Sequence, residues 1–352
     1  MTGDYEALTK FVQKEIIDAG LKLNELEITR SVIRSIIGRF EESGWSVEAI
    51  PDATTRHSRY KIISPDGSES LSMIGGKVYR HPAYTEQICR RKHLTKRMLE
   101  LDGLPLPAGG DFSPREKEIA ATYFDKLPKP VVVKATDSGA SKGVSVGVRS
   151  RSDFELAWQH ALAEGRNESN VLVEQFVKGV ELRAFVIGDQ VVSVIARIQP
   201  FVVGTGNSNL ETLIAELHEA RKVHYRTMKM PVVIDWDFVG LQGHNANSVP
   251  TNKEIVYLNP FNTPTIGALL VDVTGSACEG IKDIARRAKA AIPGLEIAGV
   301  DVLVEDLADE TTAYVLEVNT SASLDLHRYV THGNSRAIDE DIVDYFHAPY
   351  LN

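Results

Sequence analysis

Residues 131–148 read VVVKATDSGASKGVSVGV. The run Val131-Val132-Val133-Lys134 is apolar and β-branched and ends on a cation, and residues 144–148 alternate as VSVGV. Both pieces have strand composition. The link between them, residues 137–143, combines Ser138, Gly139, Ser141, Lys142 and Gly143. Glycines there let backbone N–H groups approach a phosphate closely, and the lysines supply charge. A lysine at a strand end followed by a flexible hairpin would account for the same residues. The pattern Gly143-Val144-Ser145-Val146-Gly147 also matches a nucleophile elbow letter by letter, but that motif needs a strand-to-helix turn that exposes the serine, and here the alternation continues through it.

Working outward, Ser152 with Glu155 forms a predicted capping box for a helix over residues 153–164, closed by Gly165, and residues 171–176 are a strand. The unit is a β-loop-β-α-β lid. Before it come a basic amphipathic helix over residues 91–101, a loop over 105–114 and a helix ending at Leu127. Residues 5–18 and 27–42 carry apolar residues at helical spacing, and residues 59–74 form two strands around Pro65-Asp66-Gly67. A small first lobe therefore covers residues 1–87. After the lid, strands are expected over 181–187, 191–197, 255–258, 299–304 and 313–318, with helices over 209–220 and 276–292.

Bulk properties bound the class. A chain of 352 residues builds about two or three packing units. Apolar residues at 43% and charged residues at 25% indicate an ordinary globular protein. A net charge of -9 argues against a nucleic-acid backbone as main partner. Cys89 and Cys278 cannot build a zinc quartet or a disulfide framework. With no apolar signal core near Met1 and no membrane-length apolar run, a soluble cytoplasmic protein is expected. The sequons at Asn167 and Asn319 are then coincidental. Neither a Walker-type nor a dinucleotide fingerprint occurs, so a phosphate must be held another way.

A second constellation lies downstream. Asp301 sits in the apolar run AGVDVLV, and Glu317 and Asn319 are two apart in YVLEVN, so alternation puts the last two on one face. Three hard oxygen donors of the kind magnesium prefers thereby converge. A carboxylate inside a strand needs a cation or a basic partner, and a structural ion pair to an arginine is the alternative.

Taken in order, RKHLTKRMLELDGLPLP, VVVKATDSGASKGVSVGV, VLVEQFVKGVELRAFVIG, GVDVLVED and YVLEVN resemble the ATP-grasp superfamily over residues 88–330. Within it they are most similar to the cyanophycin synthetase, bifunctional glutathione synthetase and D-alanine:D-alanine ligase group. The resemblance implies an α+β / α/β ATP-grasp fold: a small N-terminal lobe (1–87), a central and lid subdomain (88–177) and a C-terminal antiparallel-sheet lobe (178–352). It implies that Lys92 and Lys134 contact nucleotide phosphates beneath a lid loop containing Ser138, Gly139, Ser141 and Lys142. Glu174, Gln175 and Val177 would meet the adenine edge, Glu181 the ribose, and Asn262 the nucleotide. Asp301, Glu317 and Asn319 would bind two magnesium ions, with manganese a substitute. Arg183 and Arg197, with Lys134 and Ser141, would stabilise an acyl phosphate, surface pairing being the alternative for the arginines. His327 and Arg328 are candidates for a substrate carboxylate, His327 equally for packing.

The implied activity is ATP-dependent, ADP-forming ligation of an amino-acid or peptide carboxylate to an amine, in a homodimer. A carboxylate kinase or nucleotide-binding regulator is the alternative. Two features depart from the group. Residues 320–327, TSASLDLH, replace its usual Pro-Gly-type turn, and no partner ligase or Mur-type domain flanks the match, so a stand-alone enzyme is expected. The polar, glycine-rich stretch 201–252 lies outside these motifs and is expected to govern substrate choice.

Overall fold

Four sheets organise the computed structural model, which describes residues 5–27, 31–51, 58–137, 142–166, 169–320 and 322–351. The first is an antiparallel meander of β1 (Ser46–Ile50), β2 (Arg59–Ile63), β3 (Ser70–Ile74) and β4 (Lys77–Tyr79). Its β2–β3 turn is the expected one. Asp66 Oδ1 accepts from Ser64 Oγ and Ser68 N, and Gly67 takes the left-handed φ of 73°. Leu71 and Met73 point inward against Ile36 and Phe40 of the helix Val32–Glu42. That helix starts later than residue 27, because the Ser31 side chain accepts from Arg34 N and caps it there. Residues 5–18 are helical throughout, as Glu6–Phe11 followed by a π-helical turn Val12–Asp18.

The lid sheet has the order β5-β8-β6-β7, from β5 (Gly109–Phe112), β6 (Val131–Ala135), β7 (Val144–Val148) and β8 (Val171–Gln175). One face packs on the helices Lys117–Lys126 and Arg151–Glu164 through Phe124, Phe154 and Trp158. β5 lies inside the expected loop 105–114. The capping box is also not where expected. Ser150, not Ser152, accepts from Asp153 N, and the Asp153 carboxylate returns to Ser150 N, so the helix begins at Arg151. The shorter aspartate already closes the box at the required spacing of three. Ser145 lies within β7, so the nucleophile-elbow pattern has no strand-to-helix turn.

The chain continues through β9 (Val180–Ile187) and β10 (Gln190–Ile198), leaves by β11 (Phe201–Val203) and returns by β12 (Ile255–Tyr257). The excursion has its own small core of Leu210, Leu213, Ile214, Val239 and Leu258. With β13 (Leu269–Asp272), β14 (Ile297–Val304) and β15 (Tyr314–Asn319), the largest sheet has the antiparallel order β13-β10-β9-β14-β15. Alternation decides its faces. Leu182, Ala184, Val186, Val194, Val300 and Val302 join the core under the helix Glu279–Ala290. The opposite face carries Glu181, Arg183, Arg197 and Asp301, with Phe185, Ile195 and Leu270 beside them. The C-terminal helix Ile338–His347 packs Ile342 and Phe346 against Phe40 and Trp45, so the last residues complete the core of the first lobe.

Candidate active site

Register assembles the charged row on the large sheet. Arg183 on β9 lies opposite Asp301 on β14, Asp301 lies opposite Glu317 on β15, and Glu181 lies opposite Arg197 on β10. Arg183 Nε and Nη2 each donate at 2.6 Å to the two Asp301 oxygens, and Arg197 Nη2 donates to Oδ2 at 3.1 Å. Arg197 also donates to Glu181, whose other oxygen accepts from Asn262 Nδ2 at 2.6 Å. Asp301 is buried. Burial alone would push its carboxyl up, but Arg183 and Arg197 hold it below the usual aspartate range. Burial likewise opposes the Arg197 charge, yet Asp301, Glu181 and Glu317 more than offset it. Gly299 makes room for this arrangement: a Cβ there would lie 2.7 Å from Ala322 Cβ and 3.4 Å from Arg183 Cδ. Both arginines are thus buried partners of Asp301 and not surface pairs.

Glu317 and Asn319 are held differently. The nearest ion-pair partner of Glu317 is Lys92 Nζ at 4.0 Å, and Asn319 Nδ2 is buried with no hydrogen-bond partner among the described residues. An amide whose N–H group finds no acceptor is free to flip and turn its oxygen that way, and with the Glu317 carboxylate it can then offer hard oxygens to a cation. Asp301 offers less, since its oxygens already serve two guanidinium groups.

Facing this row across a cleft is the lid sheet. Alternate residues Val131, Val133 and Ala135 enter the lid core, leaving Lys134 on the cleft side. Lys134 Nζ reaches Glu174 Oε2 at 2.6 Å, and Lys96 Nζ reaches Glu174 Oε1 and Pro107 O, each at 2.8 Å. Burial would raise the Glu174 carboxyl, but the two ammonium groups hold it below the usual glutamate range. Lys92 and Lys96 share one face of the helix Lys92–Leu101 by their spacing of four. Leu99, Leu106, Leu172, Val315 and Leu316 supply apolar walls to the same cleft.

Lys96 is the residue the motif analysis missed; only its spacing from Lys92 marks it. Gln175 N is taken by Ala108 O at 2.8 Å, and Val177 is half-buried at the exit of β8. Lys142 is exposed at the start of β7, while Ser138, Gly139 and Ser141 lie outside the described residues. His327 proves to be a packed residue. It is fully buried, its Nδ1 lies 2.8 Å from Ser193 Oγ, its ring meets the edge of Phe185, and burial pushes its pKa down to about 3. Arg328 is occupied by Asp339.

Comparison with known proteins bears on the fold. A family model described as the D-ala D-ala ligase C-terminus matches residues 108–203. The crystal structure of a bifunctional glutathione synthetase from Pasteurella multocida superposes with a TM-score of 0.63 at 23% identity, covering 91% of this chain and 44% of that one. The chain has the ATP-grasp ligase fold. Its sequence is 27% identical over 261 residues to the bifunctional glutathione biosynthesis protein of Desulfotalea psychrophila, covering 72% of this chain and 33% of the relative. It is 30% identical over 261 residues to the cyanophycin synthetase of Geminocystis herdmanii, covering 72% of this chain and 30% of that protein. The chain therefore spans about a third of the length of these curated relatives. ATP-grasp ligases generally use ATP with magnesium. No helix among the described residues is long and apolar enough to cross a membrane.

Proposed function

We propose that this chain is an ADP-forming carboxylate–amine ligase acting on an amino acid or peptide. The observation that carries the reading is the convergence, within an ATP-grasp fold, of Lys92, Lys96 and Lys134 on one side of a cleft and Glu317 on the other, with Asn319 two residues along the same strand. Lys92 and Lys134 neutralise the β and γ phosphates of ATP, and the apolar walls around Leu172 and Leu316 receive its base. Glu174 sets the position of Lys134. Glu181 and Asn262 meet the ribose. Glu317 and Asn319, with Asp301 where its arginines yield an oxygen, hold two magnesium ions, or manganese in their place. The metal, when bound, neutralises phosphate charge during transfer. Arg183 and Arg197, fixed by Asp301, face the carboxylate being phosphorylated and stabilise charge developing on it. The amine then attacks the carbonyl carbon of the acyl phosphate, its C–O bond breaks to release inorganic phosphate as the amine gives up a proton, and proximity and exclusion of water in the cleft favour amide formation over hydrolysis. The excursion between β11 and β12 selects the substrate. The resemblance also supports a cytoplasmic homodimer.

The test is an ATPase screen against pools of amino acids and short peptides, with the nucleotide product identified by chromatography. ADP and phosphate should form only when a carboxylate and an amine are both present, and hydroxylamine should replace the amine and yield a hydroxamate. Release of AMP and pyrophosphate would refute the acyl-phosphate route, since it requires attack at the α phosphate. ADP formation with a carboxylate alone and no amide product would favour a carboxylate kinase, and nucleotide binding without turnover a regulator.

A further inference from the structure

Arg221 is 4% exposed, and the only hydrogen bond its side chain makes among the described residues is from Nη2 to Met230 O at 3.3 Å. Its Nε is buried without a partner. Among the described residues no carboxylate approaches it. Arginine does not lose its proton in a protein, so an uncompensated guanidinium at this depth is costly unless something anionic meets it. Five residues on, Arg226 is half-buried and also lacks a carboxylate within hydrogen-bond reach among the described residues. The group between them cannot supply the charge. His224 is fully buried, with Nε2 3.2 Å from Val330 O and Nδ1 accepting from Arg226 N at 3.2 Å. That pairing fixes the neutral tautomer, and burial together with both arginines keeps its pKa low. His332 is lowered to about 4 by burial and by the Arg221 charge.

The cluster adjoins the active face. Val330, whose carbonyl holds His224, packs with Ile195, Leu270 and Leu326 on the side of the large sheet that carries Arg183. The exposed Asp325, at the start of the helix Leu324–Arg328, is the one carboxylate among the described residues whose charge acts on Arg226, and it acts on Lys77 against the charge of Arg183. In a chain of net charge -9, this is a local excess of cations beside the reaction site.

We propose that Arg221 and Arg226 form a receptor for an oxyanion of the carboxylate or phosphate class at the edge of the active face. Its natural source is a second anionic group on the non-nucleotide substrate, a clause that rests on the ligase reading; the oxyanion site itself does not. Thermal unfolding tests the site with inorganic sulfate at constant ionic strength, in protein saturated with ADP and magnesium so that the nucleotide phosphate positions are filled. Sulfate should raise the Tm of the wild type, and the rise should be lost in Arg221→Gln and in Arg226→Gln but kept in Arg115→Gln, an exposed control in the lid. Retention of the full rise in Arg221→Gln and Arg226→Gln would overturn the proposal. Should Arg221→Gln fail to fold, the half-buried Arg226→Gln decides alone. The source is read from kinetics on whichever substrate supports ADP release. A charge-assisted contact predicts that KM for that substrate rises about 10- to 100-fold with KM for ATP unchanged. Converting its remote carboxylate to an amide should reproduce that loss in the wild type and add little in the variant. Unchanged KM beside a lost sulfate response would assign the site to a free inorganic oxyanion and refute the substrate source.

Discussion

Asp301 and Glu317 face each other across β14 and β15, but they are held so differently that substituting each separates a structural role from a chemical one. The Asp301 side chain is 4% exposed and receives two 2.6 Å bonds from Arg183 and one of 3.1 Å from Arg197. Asp301→Asn keeps the shape and removes the charge. Arg183 is then left buried with no carboxylate within hydrogen-bond reach among the described residues, whereas Arg197 keeps Glu181. Removing one member of a buried ion pair costs about 3–5 kcal/mol, and the surviving Arg197–Glu181 contact puts the expectation at the lower end. For a protein of this size, about 3 kcal/mol is a Tm fall on the order of 4 °C. Glu317 is 32% exposed and 4.0 Å from Lys92, a pair whose loss is worth about 1 kcal/mol at most. Calorimetry and ADP release on both variants give the comparison. Glu317→Gln should fold like the wild type and be inactive, and Asp301→Asn should lose stability and activity together. Wild-type stability in Asp301→Asn would refute the ion-pair argument, and wild-type turnover in Glu317→Gln would refute the metal role.

Other outcomes follow from the same geometry. Glu174 and Asp301 both have folded pKa values below their ordinary ones, so their stabilisation is complete above the ordinary carboxylate range and lost as pH falls through the folded values. Tm should therefore drop as pH is lowered below about 4, more shallowly in Glu174→Gln, as calorimetry across acid pH will measure. Gly299→Ala brings a methyl to 2.7 Å from Ala322 Cβ and 3.4 Å from Arg183 Cδ; it should cost about 1–3 kcal/mol in urea unfolding and lower kcat by displacing Arg183. Cys89 is buried and its thiol is pushed up to about 12, whereas Cys278 is half-buried, so a chromogenic disulfide reagent should titrate one thiol quickly in native protein and both after denaturation.

The strands legible in the sequence are those whose apolar residues line a core. β6, β8, β9 and β14 announce themselves because nearly every second side chain, or every one, is buried. β1 does not, since Ser-Val-Glu-Ala-Ile is exposed along almost its whole length, and β4 has three residues. β5 falls within the stretch 105–114 expected to be a loop. It becomes a strand because a Cβ at Gly109 would fall 2.6 Å from Glu174 Cγ, so that glycine is what admits β5 beside β8.

The site is legible to the same depth and fails at the same point. A charged residue inside an apolar strand must have a partner, which singles out Lys134, Asp301 and Glu317 from one chain position each. Which partner it has is a matter of register between strands far apart in sequence, as for Arg183 and Asp301, 118 positions apart. From the sequence, metal and arginine accordingly stand as alternatives for Asp301, and the sheet supplies the arginines. Glu174 carries the argument furthest. Expected at the adenine edge, it has both carboxylate oxygens engaged by Lys134 and Lys96. A carboxylate so used accepts little from a ligand directly. What it does is hold two ammonium groups a carboxylate's width apart at the cleft wall, against the rotamer entropy of two long side chains. Under the proposed function Glu174 would act on a nucleotide through Lys134, as a positioning residue, and Lys96 completes the group because one cation alone would leave half of a buried carboxylate unsatisfied.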